Sequence, residues 1–272
     1  MNESLVTVIL AFTGYSLLNV GQAGQKIGLE ICARRTVAGW SVWSVSTLAT
    51  AASFLFVFAA IAAGSVAIAG AMAGTGLASM ALFSRFVLKE KLTPRTIVSI
   101  GVIIASAALL AAFDRPGGGT SHTGRLFILL AIGIIGYGVA ILAAPTPALK
   151  AVITGGLSGF LGAASQLFQR LSTETISAPL TSFEFVLQVI ADPVTLAWVG
   201  LSAASMLVIQ FAYRHAEALR IVPVFTANFI VLPAIGGAIV FGETLHPLQW
   251  AAIAMMLAGS FLLAGRSAAA SA

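Results

Sequence analysis

The sequence predicts an all-α polytopic membrane protein of about nine transmembrane helices, built as two inverted four-helix repeats joined by one extra helix. Composition, the length of the apolar runs and a self-similarity between the halves predict it. Of 272 residues, 59% are hydrophobic and 8% charged, with mean hydropathy +1.02, whereas a soluble domain carries about a quarter charged residues. A hydrocarbon core about 30 Å thick takes roughly 20 apolar residues as helix. The runs here are continuously apolar, which fits helices rather than the alternating strands of a membrane barrel.

The expected spans are 5–26, 41–62, 65–87, 96–113, 126–144, 149–169, 194–214, 221–241 and 248–265. The start, MNESLVTVIL, has an acid where a secretory signal peptide is basic, and reads as an uncleaved first span. The longest connection, Leu171 to Pro193, holds Glu174, Glu184 and Asp192, with a short interfacial helix expected around Phe183 to Ile190. Asp114 to Arg125 is a Gly/Ser/Thr linker.

Net charge is +5 and pI about 9.9, but the basic residues cluster in short loops and act as topology signals, so no nucleic-acid partner is implied. Alternate loops divide them unequally. One side holds Lys26, Arg34, Arg35, Arg85, Lys89, Lys91, Arg95, Lys150, Arg214, Arg220 and Arg266, and the other Arg115, Arg125 and Arg170. This excess predicts an outside N-terminus and a cytoplasmic C-terminus in the cell membrane. Cys32 is the only cysteine, which excludes an intramolecular disulfide and leaves it without a cysteine partner for a metal site.

Self-comparison aligns FVLKEKLTPRTIVSIGVIIASAALLAA, from Phe86, with IVFGETLHPLQWAAIAMMLAGSFLLAG, from Ile239, at an offset of 153. Glu90, Leu92 and Pro94 match Glu243, Leu245 and Pro247. AASFL at Ala51 matches AASML at Ala203. Residues 1–113 form the first four-helix repeat, 114–145 the linker and connecting fifth helix, and 146–272 the second repeat. An odd helix between two even units makes the second enter the bilayer from the opposite face. Such inverted repeats are an architecture of alternating access around a midplane site.

The E-x-L pattern of VLKEKLTP and VFGETLHP resembles the drug/metabolite transporter superfamily, and the four-helix unit resembles a small multidrug resistance subunit. Nine spans with an outside N-terminus are more similar to NIPA-like magnesium transporters than to the ten-span EamA-like group. LLNVGQAGQKIGL, with Lys26, Gly28 and Leu29, resembles the NIPA-like first helix; SGFLGAASQLFQRL and VIQFAYRHAEALRIVPVF resemble that group's sixth helix and its turn between the seventh and eighth. The resemblance implies a transporter, with magnesium as one alternative cargo. Arg170 stands where the NIPA-like pattern has lysine, and the membrane glutamate of small multidrug resistance proteins is missing from the first helix.

Tyr15, Asn19, Gln22 and Lys26 fall 4, 3 and 4 residues apart and share one helix face, with Gln25 nearby. Amides facing lipid are costly, so the stripe faces the bundle interior, either packing against neighbouring helices or lining a wet path. Ser158, Gly162, Gln166 and Gln169, followed by Arg170, repeat the spacing in the sixth span. Thr75, Ser79, Thr226 and Asn228 are small polar groups that either touch a solute or bond back to their own helices. Gln210 and Tyr213 are path candidates, beside an interfacial turn of Arg214, His215 and Glu217. Glu90 and Glu243 are assigned fold and gating roles ahead of coordination. Gly70 with Gly74, and Gly155 with Gly159, have the spacing for close helix packing. Pro223 and Pro233 are candidate openings of the eighth span, Pro233 the better placed because it falls mid-span.

No H-E-x-x-H, G-x-S-x-G or paired-aspartate motif is present, and GGGTSHTGR lacks the Gly-Lys-Ser/Thr ending of a phosphate loop. An enzyme is not expected, nor a cofactor or resident metal. The expected partners are a small-molecule or ion substrate and the lipid bilayer, the chain acting as monomer or homodimer. A small polar solute, a magnesium ion and a lipid carrier, or an accessory subunit without transport, are the functions left open.

Overall fold

The computed structural model describes residues 3–32, 36–87, 93–113, 121–176, 182–213, 215 and 218–264. Among them the chain forms eleven helices and no strand: α1 Glu3–Cys32, α2 Thr36–Ala63, α3 Val66–Ala71, α4 Ala73–Phe86, α5 Pro94–Ala112, α6 Thr123–Ala143, α7 Pro147–Thr175, α8 Phe183–Ala191, α9 Pro193–Tyr213, α10 Ala218–Val240 and α11 Pro247–Ala264. Seven segments are long and apolar enough to cross a membrane; α8 and α9, bent by 77°, count as an eighth if taken as one span, and Pro247–Leu262 is a shorter apolar stretch. The outer surfaces are apolar in keeping with this. On α6, Leu142 is 84% and Ile132 65% exposed, and only Leu126 is buried.

The helix starts follow local chemistry. Pro94, Pro147 and Pro193 occupy first-turn positions, where the missing N–H costs nothing, each preceded by a residue whose oxygen caps the turn. Thr93 accepts from Thr96 N, Thr146 from Leu149 N, and Asp192 from Thr195 N at 2.9 Å. Before α11, His246 N donates to Gln249 Oε1 at 2.9 Å, one half of a capping box, and Leu248 N donates to His246 Nδ1 at 3.2 Å. The Pro of each E-x-L-x-P element is thus a helix-start residue. The short helix expected near 183–190 is α8; Ser182 caps it, and Phe185 packs edge-on against Phe58 while Phe183, Leu187 and Ile190 stay exposed.

One end of the bundle collects the start of α1, the junction of α2 and α3, the end of α5 and the start of α6. The ends of α7 and α10 and the starts of α9 and α11 meet there too. Ser4 Oγ and Gln249 Nε2 both donate to Phe113 O at 2.9 Å, and His246 stacks on Phe113. His122 N and Arg125 Nη1 donate to Val240 O and Ile239 O, Arg170 Nη1 to Ile61 O, and Thr195 Oγ1 to Ser172 Oγ. Since α1 begins and α7 ends here, the two run in opposite senses. α1 packs on α2 and α4, α7 packs on α9 and α10, and α3 pairs with α10 as α5 does with α11.

Glycines set these approaches, as their spacing predicts. A Cβ on Gly74 would meet Met256 and Ser260, one on Gly155 would meet Ile221, and one on Gly159 would run into the Phe225 backbone. The sequence expectation for the interrupted span needs correcting. α10 runs unbroken through Pro233, while the third span divides at Met72, between α3 and α4. Proline removes one ladder bond and keeps a helical φ. At Met72 the break is held by Thr75, whose N and Oγ1 both donate to Met72 O, at 2.9 and 2.6 Å.

Because backbone on α10 cannot yield as a side chain can, Gly159→Val is expected to cost about 2 kcal/mol or more by overpacking. Gly101→Val, at a position with open space around it, is expected to cost far less. Thermal unfolding of the two purified variants checks the difference.

Candidate functional site

The site is built where the third span begins. After α2 the chain turns at Gly64 and Ser65, and α3 starts with buried N–H groups that its own helix cannot satisfy. Ser65 Oγ accepts from Ile68 N at 3.4 Å. The rest comes from the other half of the chain. Glu243 Oε1 accepts from Val66 N at 2.9 Å, and Oε2 accepts from Ala67 N at 3.1 Å and Ser65 Oγ at 2.6 Å. An anion at a helix N-terminus is favoured by both the free N–H groups and the helix dipole.

The turn that delivers Glu243 depends on two glycines. Gly242 has φ 62°, the left-handed region, and Phe241 N and Glu243 N both donate to Gly237 O, at 3.1 and 3.0 Å. The carboxylate then lies against the open side of Gly237, where a Cβ would overlap it. Glu243 is 4% exposed. Arg170, half-buried with its Nε unpartnered, lies close enough to favour the carboxylate. Burial nevertheless pushes the Glu243 carboxyl up from its ordinary range, outweighing Ser65, Val66, Ala67 and Arg170.

Beneath this cap, roughly 7 Å along α3 at 1.5 Å per residue, Gly70 lets Pro233 of α10 and Gln166 of α7 approach. Gln166 is 4% exposed, and neither its Nε2 nor its Oε1 has a hydrogen-bond partner. Beside it is Tyr15 of α1, 3% exposed; the hydroxyl neighbours the amide, yet neither closes a hydrogen bond of good geometry. Gln169, 3% exposed, also has an unpartnered Nε2. A buried polar group without a partner costs about 1–3 kcal/mol. Tyr15 and Gln166 carry that cost side by side.

The other expected path residues are placed differently. Asn19 Nδ2 donates to Tyr15 O at 3.0 Å, and Gln25 Nε2 to Thr47 and Thr50 of α2. Ser16 and Ser79 share a hydrogen bond of 2.6 Å. Thr75 bonds back to Met72, Ser158 pairs with Ser205 of α9, and Asn228 accepts from the Tyr137 hydroxyl of α6 at 2.9 Å. These are interhelical or local bonds, the packing alternative of the sequence reading. Glu90, Arg214 and Glu217 lie outside the described residues, as do the side chains of Gln22, Lys26, Gln210 and Tyr213. The capping of α3 by Glu243 was not read from the sequence. Its signals were Gly242 before the glutamate and Gly64-Ser65 before an apolar run.

Two surface hollows lie elsewhere. One of about 500 Å³ lies along α2 at Trp40 and Ser44, and one of about 360 Å³ lies between α6, α7 and α9 at Phe127, Phe168 and Leu201. No group of three or more His, Cys, Asp or Glu is placed to hold a metal among the described residues. Comparison with family models, curated proteins and solved structures finds no match to this chain.

A carboxyl raised in the folded state binds its proton more tightly there than in the unfolded chain. Folding is therefore favoured most where Glu243 is protonated, and that advantage is lost as pH rises from the ordinary carboxylate range through the raised value. Against Glu243→Gln, the wild type is expected to lose relative melting temperature as pH rises from the acid side towards neutrality. Glu243→Ala, which strips the α3 cap, is expected to lower it by several degrees throughout.

Proposed function

We propose that the protein is a secondary transporter of the drug/metabolite transporter type, moving a small solute across the cytoplasmic membrane by alternating access. The reading takes the two halves as inverted four-helix repeats, with α6 as the odd helix between them and nine crossings in all, the N-terminus outside. The observation that carries it is the meeting of α1 and α7, the oppositely running first helices of the repeats, at Tyr15 and Gln166, whose polar atoms are buried and unpartnered. The Met72 interruption of the third span supports it, since broken helices at a repeat interface are a feature of transporter sites. The matching contacts of α1 with α2 and α4 and of α7 with α9 and α10, and the pairings α3–α10 and α5–α11, support the two-fold relation. The excess of Lys and Arg on the far loops supports the orientation.

On this reading the Glu243 end is the outer end, and the Glu243 cap with Arg170 closes it. Gln166→Leu is expected to raise the melting temperature, because an apolar side chain of similar size replaces an unpartnered amide, and to abolish solute exchange in proteoliposomes while expression is unchanged. Spin labels at Thr123 and Phe183 in a Cys32→Ser chain are expected to report two distances across the Glu243 end. A single distance, with Gln166→Leu fully active, would remove the proposal.

A further inference from the structure

Resting on that transport reading, we infer that the solute held between Tyr15 and Gln166 is an uncharged hydrogen-bonding molecule, an amide or polyol in chemical class, rather than a metal ion or an organic anion. The buried atoms there are neutral and of mixed type. Gln166 Nε2 and Gln169 Nε2 are donors, Gln166 Oε1 is an acceptor, and the Tyr15 hydroxyl is either. A solute that satisfies them carries carbonyl or hydroxyl oxygens together with at least one N–H or O–H of its own.

The nearest described charges do not supply an ion site. Both Glu243 oxygens are engaged by Ser65, Val66 and Ala67, and Arg170, with Nη1 given to Ile61 O and Nε unpartnered, lies close enough to favour the Glu243 charge. An ion in the centre would lose its hydration against amide and phenol groups alone, a cost that burial makes large unless a counter-charge is present. Magnesium further demands near-octahedral oxygen ligands, normally with one or two carboxylates. The two carboxylate oxygens within reach are already bound. Size is restricted too, because Pro233 and the Gln166 oxygen both lie against Gly70.

The test is thermal unfolding of the purified full-length chain with acetamide, glycerol and glucose as neutral probes. Magnesium chloride and sodium succinate serve as charged probes at matched ionic strength, and every reading is repeated on Gln166→Leu and Tyr15→Phe. A neutral probe is expected to raise the wild-type melting temperature by about 2 °C near saturation, with the shift lost in Gln166→Leu and reduced in Tyr15→Phe. Tyr15→Phe removes only the hydroxyl, so its fold is retained and the comparison survives if the leucine variant misfolds. A Gln166-dependent shift with magnesium or succinate, or silence of every neutral probe, overturns the inference. Failure of the transport reading looks different: neutral probes bind while the spin-label pair keeps a single distance.

Discussion

The carboxylate of Glu243 on the first turn of α3 is the contact on which the arrangement of the two halves depends. It joins residues 178 positions apart, and it satisfies N–H groups that are buried from the moment the third span begins. Lipid offers no substitute partner, and water has little access to a residue this enclosed. Everything that holds the carboxylate in place is local to one turn: the left-handed Gly242, the bare side of Gly237, and the Gln249 brace that fixes where α11 starts. Loss of the contact would free the entry to α3, and with it the position of Gly70 against Pro233.

Below that cap the structure exchanges stability for polarity. The first helices bring an amide and a phenol into contact and leave both unsatisfied, although several serines and threonines in the same helices are bonded to neighbours or to their own backbones. Ser158 finds Ser205, Ser16 finds Ser79, and Thr75 closes the Met72 break. Where α1, α3, α7 and α10 converge, the pairing fails for Tyr15 and Gln166.

Much of the helical layout was legible in the sequence, because apolar run length is dictated by bilayer thickness and the prolines of the repeated motif mark helix starts. The interior placement of Tyr15 and Gln166 was legible as well, since a polar stripe at helical spacing has one tolerable direction. The break at Met72 was not: the sequence around it is uniformly small and apolar, and the mid-span proline of α10 was the stronger signal. Nor did spacing tell Ser158 and Asn228, whose hydrogen bonds lie within the packing, from Gln166, whose amide has none. That distinction depends on which neighbour is within reach across an interface, which periodicity along one helix does not contain.

The glycines of the turn that aims Glu243 have no counterparts at the matching sequence positions of the other half. At the offset of 153 residues, Gly242 corresponds to Lys89 and Gly237 to Ser84, so this pair of glycines occurs once in the sequence. Under the transport proposed above, this inequality in sequence would make the face closed by Glu243 the harder of the two to open.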